Sequence, residues 1–374
     1  MRSRFRDPLA FLSLAAIVAV LVLVTLVLLP HDPYIRFQEL ARESVHYLRI
    51  KWIYERVHYD ETPVDVAFIG TSHMQSGIDS ARVETTLRAN GNALHVVNFA
   101  IPHLGRDLEY LVARELLDNK KPKLLVIETQ FFEARAPHPG FQRLATLSDI
   151  ATAPMIINTG LIENLVRLPL RQLDLFTRSL APKRYGMFNT FDRARYEGAH
   201  FNDTYLQHGF TATRTAVHRR DFFEPQLAGI RTDITEKSNL ASRVNFAATD
   251  HNVLYRYNNI YLDRIVSLAK SQGVRVVFLY LPFLEGPGMP QHAAWINSMG
   301  QIMTPTKIIG NAALWQNADH LNYFGALALS DWVAGELPVH LKNDAQKIAV
   351  DSKVSYLKTP NNKRGNKESA REGS

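Results

Sequence analysis

The chain of 374 residues contains no cysteine. That absence excludes a disulfide framework, a thiolate nucleophile and any thiolate-ligated metal site. No internal repeat runs along it, and a basic face is missing too. The formal net charge is +7, but Arg2, Arg4 and Arg6 against Asp7 carry +2, and residues 351–374 carry +3. The interior keeps only +2, so a nucleic-acid partner is not expected. The histidines show no ligand spacing such as His-x-x-x-His beside carboxylates, which argues against metal-dependent hydrolysis. Nothing in the composition calls for a cofactor. Residues 359–374 hold almost no apolar side chains, and the basic segment 341–374 is expected to be a disordered tail.

What is present is a core-forming chain, 46% hydrophobic, long enough for one α/β domain with insertions or for two domains. It begins with an apolar run over residues 9–29, interrupted only by Ser13 and Thr25, long enough to span a bilayer as a helix. Three arginines precede the run and His31-Asp32 follow it. The positive-inside rule then leaves the N-terminus in the cytoplasm and the remaining chain outside, as expected of a single-pass protein of a bacterial inner membrane. A cleaved signal peptide would have a shorter apolar core ending in an Ala-x-Ala-like site, which Val24-Thr25-Leu26-Val27-Leu28-Leu29-Pro30 lacks. Residues 1–30 are therefore read as a cytoplasmic stub and uncleaved anchor. Residues 34–58, within a segment 31–62, read as helix rich in Tyr, Trp, Arg and Lys. That composition suits a juxtamembrane helix near the headgroups, and equally an amphipathic helix packed on the domain.

From residue 63 the pattern becomes strand, helix, strand. Apolar runs at 64–69, 95–100, 123–128 and 274–281 read as buried strands, and 307–309 as a short fifth. Helices are expected at 80–90, 107–117, 257–272 and 324–336. Such alternation implies a parallel sheet with crossover helices, here a domain over 63–340. Residues 134–250 break the pattern with helical stretches such as 161–180 and a polar aromatic segment at 193–210. They read as an insertion suited to a lid or a substrate-binding wall.

Two stretches carry chemistry. The first strand breaks at Gly70-Thr71-Ser72, and the carboxyl edge of a parallel sheet is where reactive groups collect. Ser72 there can act as a nucleophile, although Thr71 or Ser72 capping a helix explains the same residues. The second is Asn317-Ala318-Asp319-His320-Leu321-Asn322 before the last helix, where His320 can take the serine proton. By itself a loop histidine is more often structural. Gln130, Asn98, Gly105 and the Ser72 backbone N–H are candidate oxyanion donors, and Glu128 reads as structural or as a wall of the pocket.

Together, Gly70-Thr71-Ser72 after the first strand and Asp319-His320-Leu321-Asn322 with Gly325-Ala326 before the last helix resemble the SGNH/GDSL hydrolase superfamily. The closer likeness is to its membrane-anchored cell-envelope branch, including proteins of alginate acetylation and teichoic-acid D-alanylation. It covers residues 64–130 and 257–336. The resemblance implies a three-layer α/β/α fold with a five-stranded parallel sheet, Ser72 as nucleophile and His320 as base. Three departures stand out. Thr71 replaces the acid of Gly-Asp-Ser, Asn317 occupies the place of the Asp three residues before the histidine, and Glu128-Thr129-Gln130 stands where Gly-x-Asn-Asp is usual. Residue spacing selects Asn317 as the partner of His320, because a residue three positions back shares its face. Asp319 is then expected to face solvent or cap the closing helix. Two functions follow as expectations. One is a serine O-acyltransferase or esterase acting on O-acyl, chiefly O-acetyl, groups of a cell-envelope or exported polysaccharide, with a membrane partner delivering the acyl group. The other is a catalytically weak polysaccharide-binding scaffold, which the Asn317 departure favours and the retained Ser72–His320 pair disfavours.

Overall fold

The computed structural model describes residues 8–155, 157–201, 220–244 and 253–357, with side chains described to residue 341 except at 220 and 241–244. The chain divides into two compact units, Met1–Gly335 and Glu336–Ser374. Helix α1 (Pro8–Val27) buries no residue and is long and apolar enough to cross a membrane. It stops short of the apolar run's end because Pro30 disfavours helical geometry in the residue before it.

The next two helices, α2 (Pro33–Glu43) and α3 (Leu48–His58), are packed on the domain. Their apolar faces lie in the main core: Tyr34, Phe37, Leu40, Ile50, Trp52, Ile53 and Val57 share one cluster with the sheet. Arg56, fully buried, donates to the carbonyls of Thr62 (2.7 Å) and Pro63 (2.8 Å). The Tyr34 hydroxyl donates to Glu55, which also pairs with Lys51 at 2.6 Å. A basic, aromatic helix pair can thus be core when charges such as Arg56 and Glu55 find partners.

The sheet has five parallel strands in the order β2-β1-β3-β4-β5: β1 (Val66–Ile69), β2 (Val96–Asn98), β3 (Leu124–Thr129), β4 (Arg275–Tyr280) and β5 (Gln301–Met303). Pairing Val66 with both Val96 and Leu124 fixes which residues share a face. Ala67, Ile69, Leu125, Ile127, Val276 and Phe278 point one way, into the cluster formed with α6 (Arg106–Asn119) and α11 (Arg256–Ser271). The alternate residues Val66, Phe68, Val126 and Leu279 are equally buried on the other face. There α5 (Ser80–Ala89) lies beside α14 (Tyr323–Leu357): Asp79, its N-cap, donates its N–H to Ser330 (2.9 Å) and Arg82 holds Asp331 with two 2.7 Å bonds. This is the expected α/β/α arrangement. A short helix, α4 (Ser72–Gly77), follows β1 directly.

The fifth strand is not at 307–309. Those residues belong to the short helix α13 (Thr306–Ile309), and β5 lies earlier, after α12 (Ala293–Met299). At the sheet's edge β5 needs only one buried residue, Met303, so no apolar run marks it, whereas Ile308 and Ile309 are buried as a helical turn. Between β3 and β4 lie α7 (Phe141–Leu144), α8 (Leu147–Ala151), α9 (Leu161–Leu180) and α10 (Arg220–Val244). Of the segment 193–210, residues 202–210 lie outside the described residues. The expected tail is helical through residue 357, as suits a stretch from 339 with neither glycine nor proline, and residues 358–374 lie outside the described residues.

If α2 and α3 are core, a fragment starting at residue 31 folds and one starting at residue 60 does not. Thermal melts followed by circular dichroism check this: a cooperative transition in both fragments would make the helix pair peripheral.

Candidate active site

Strand β1 ends at Gly70, and the backbone must turn there beside the neighbouring strand. A Cβ on Gly70 would stand 2.5 Å from the Glu128 side chain, so no larger residue fits without moving it. The space admits the Glu128 carboxylate, buried at the end of β3, which accepts from the N–H of Thr71 (2.7 Å), the N–H of Met74 (3.2 Å), the Thr71 hydroxyl (2.8 Å) and Gln130 Nε2 (2.7 Å). Thr71 is the helix cap, its Oγ1 accepting the His73 N–H at 3.3 Å. The capping explanation therefore belongs to Thr71, and Ser72 becomes the first helical residue with its hydroxyl turned outward.

Ser72 Oγ meets His320 Nε2 at 2.9 Å. His320 sits on a short loop held back on itself by the Trp315–Leu321 bridge and by Gln316 N–H donating to the His320 carbonyl at 2.9 Å. Asn322 locks the loop, donating to the carbonyl of Ala313 at 2.7 Å and accepting the Gly325 N–H at 2.9 Å. Asn317 Oδ1 accepts the N–H groups of Asp319 (2.9 Å) and His320 (2.7 Å) and lies 3.3 Å from His320 Nδ1. Asn317 is thus the orienting neighbour, as spacing indicated. Facing that acceptor, Nδ1 carries the proton and Nε2 remains free to accept one from Ser72.

Asp319 does not cap the closing helix, and it does more than face solvent. Its carboxylate, half exposed, pairs with His73 Nε2 at 3.1 Å, while His73 Nδ1 donates to the Leu281 carbonyl at 3.1 Å. The carboxylate is drawn there because His73 and His320 stand edge to face with ring centres 5.0 Å apart. Burial works against a charged His73, but Asp319 and then Glu128 outweigh it and raise its pKa to about 9. Asp319 falls to about 2 despite burial, held down chiefly by His73. Burial and the His73 cation together lower His320 to about 4, with Asp319 opposing. At neutral pH the site holds a His73–Asp319 ion pair beside an uncharged His320.

Of the candidate oxyanion donors, Asn98 and Gln130 are committed elsewhere and Gly105 does not line the cleft around Ser72. Asn98 Nδ2 spends both hydrogens on the carbonyls of Met74 (3.0 Å) and Ile78 (2.9 Å). Gly105 is the N-cap of α6, pressed so tightly on His138 that a Cβ would collide with it. Gln130 Nε2 is held by Glu128 and by Thr71 Oγ1 (3.1 Å), an orientation forced because the amide oxygen would repel the carboxylate. The Ser72 N–H remains: at the first helical position it has no carbonyl of its own helix to bond.

His73 escaped the sequence reading. Its only signal is adjacency, since Ser72-His73 and Asp319-His320 are neighbouring pairs that the fold brings face to face. The same fold undoes the spacing argument against a metal: potential ligand atoms of His73, Asp319 and His320 all lie within 4.8 Å of one another. Ser72, His73, Asp319 and His320 open into a cleft of about 1570 Å³, also lined by Phe131, Phe132 and Phe201 and by Ile230, Ile234 and Lys237 of α10. No protein-family model matches the chain, and no curated protein matches it.

The acid limb of any Ser72-dependent turnover should lie near pH 4, where His320 takes a proton, instead of near 6.5. His73→Asn removes the neighbouring cation that lowers His320, so it should shift that limb upward. An unmoved limb in a pH–kcat/KM profile would contradict this electrostatic account. Gly70→Ala should displace Glu128, cost about 1–3 kcal/mol in denaturant unfolding and lower turnover sharply.

Proposed function

We propose that this protein is an SGNH-like serine acyltransferase or esterase, anchored in a membrane by α1, that acts on O-acyl groups of a cell-envelope or exported polysaccharide. The observation that carries the reading is the 2.9 Å Ser72–His320 contact at the carboxyl edge of a parallel sheet, open to a large cleft. The short motifs in matching order add to it. The arginine flank of α1 favours an N-terminus in the cytoplasm and a catalytic domain outside it.

The chemistry runs in two halves. Ser72 Oγ attacks the acyl carbonyl while its proton passes to His320 Nε2, and the carbonyl oxygen becomes an oxyanion beside the Ser72 N–H. His320 then returns the proton to the departing oxygen of the acyl donor, a sugar oxygen in the esterase direction, as the C–O bond breaks, leaving an acyl-serine. In the second half a glycan hydroxyl, or water, loses its proton to His320 and attacks the acyl carbon. The tetrahedral adduct collapses, Ser72 regains its proton, and the acyl group leaves on the acceptor. Asn317 orients the imidazole through its carbonyl but brings no charge to the imidazolium, so the pair is a weaker engine than one with an aspartate. A membrane protein presenting the acyl donor fits the anchoring, and a polysaccharide fits a cleft of this size.

Ser72→Ala should abolish release of a chromogenic acetyl ester and the covalent adduct at residue 72, leaving the fold intact. Full activity in that variant would sink the serine reading and leave the scaffold. Asn317→Asp keeps both backbone acceptances and adds a carboxylate 3.3 Å from His320 Nδ1, so turnover should rise about tenfold or more.

The His73–Asp319–His320 cluster favours a second reading, a metal-assisted hydrolase. Each ring turns Nδ1 toward an oxygen, Leu281 O or Asn317 Oδ1, and Nε2 toward the site, as hydrogen bonds from behind orient metal-binding histidines. Turnover unaffected by a chelator favours the serine mechanism, and turnover lost to it and restored by zinc favours the metal.

A further inference from the structure

Helix α9 is amphipathic the wrong way round for a helix packed on a soluble domain. Its domain-facing side buries Asn164, Leu168, Arg171 and Leu175. The opposite side is apolar and open: Ile162 is 71% exposed, Val166 69% and Leu170 70%, with Leu165 and Leu173 beside them. At 3.6 residues per turn these form one continuous stripe, half a turn from the buried side. One edge is polar and internally neutralised, since Arg167 pairs with Glu163 at 2.9 Å and Arg178 with Asp174 at 2.6 Å.

The other edge is where α1 packs against α9. Gln172 Nε2 donates to the Leu29 carbonyl at 2.9 Å and Ser179 Oγ accepts the Asp32 N–H at 3.0 Å. These two positions, seven apart and therefore on one line, clamp the chain where it leaves α1 and turns polar at His31-Asp32. The exposed stripe of α9 thus adjoins the apolar surface of α1, and Gln172 and Ser179 lie where the chain turns polar. Exposed Lys183 and Arg184 follow the helix and suit anionic headgroups.

We propose that α9 lies in the bilayer interface with its apolar face against the acyl chains, a second membrane contact that fixes the orientation of the domain. This rests on the reading of α1 as a membrane span. Lipid is favoured as the occupant because the stripe adjoins the surface of α1 and because the charges along its edge are paired with one another.

The absence of cysteine makes the test clean. Val166→Cys, Leu170→Cys, Arg167→Cys and Ile17→Cys, each in the full chain, are labelled with an environment-sensitive fluorophore and reconstituted in phosphatidylethanolamine–phosphatidylglycerol vesicles. The Val166 and Leu170 probes should be blue-shifted, quenched by lipids carrying a nitroxide near the headgroup and protected from iodide. The Arg167 probe should be quenched by iodide, and the Ile17 probe by nitroxides at the bilayer centre. A lipid-quenched Ile17 probe with iodide-quenched Val166 and Leu170 probes overturns the α9 proposal alone. Val166 and Leu170 probes protected from both quenchers would mean a second copy covers the face, which also overturns it. An Ile17 probe that lipid does not quench overturns the membrane span and the proposal with it.

Discussion

The Glu128 carboxylate is the interaction on which the site depends. Taken from the end of the central strand, it gathers two backbone N–H groups, a hydroxyl and an amide at 2.7 to 3.2 Å, and so ties β3 to the turn after β1. A buried carboxylate with fewer donors would be costly, and one with four is a rigid node. Gly70 exists to let it in, Thr71 is held by it at both backbone and side chain, and Ser72 is aimed by what Thr71 does. Ser72 is therefore positioned by a buried carboxylate, while its own hydroxyl meets a different partner, His320.

Around that node the electrostatics separate two histidines whose rings stand 5.0 Å apart. Two imidazolium ions at that distance would repel strongly, so protonating one disfavours the other. Asp319 decides which: its carboxylate reaches His73 at 3.1 Å but only approaches His320 Nδ1, at 3.9 Å. His73 keeps the proton and His320 gives it up. Equal residue types, given unequal neighbours, acquire opposite roles, and the uncharged one is the one touching the serine.

How much of this the sequence discloses depends on whether a feature is local. Central strands buried on both faces announce themselves as apolar runs, so β1, β3 and β4 are legible to within a residue or two. The edge strand β5, with one buried side chain, leaves no such trace, and the apolar Ile308-Ile309 that stood in for it packs as a helical turn. Ser72 and His320 are legible because each ends a recognisable stretch, and Asn317 because three-residue spacing is a local rule. Asn98, Gln130 and Gly105 sit near the carboxyl edge of the sheet in sequence, yet the two amides are already engaged and Gly105 is packed on His138, which only contacts with distant residues such as Met74, Thr71 and His138 reveal. The burial of α2 and α3 is illegible for a similar reason: Arg56 looks like a surface residue until its carbonyl acceptors are placed around it.

That burial has a mechanical consequence. Helix α1 ends at Val27 and α2, already core, begins at Pro33, so only residues 28–32 join them. Five residues fully extended reach about 17 Å, and here they are clamped to α9 at Leu29 and Asp32 besides. Such a joint is a hinge pin, too short and too well fastened to act as a tether. If α1 spans a bilayer, the cleft cannot swing out to search for a polymer in three dimensions. It sits at one height and one tilt above the lipid, and whatever enters it has to be brought to that height.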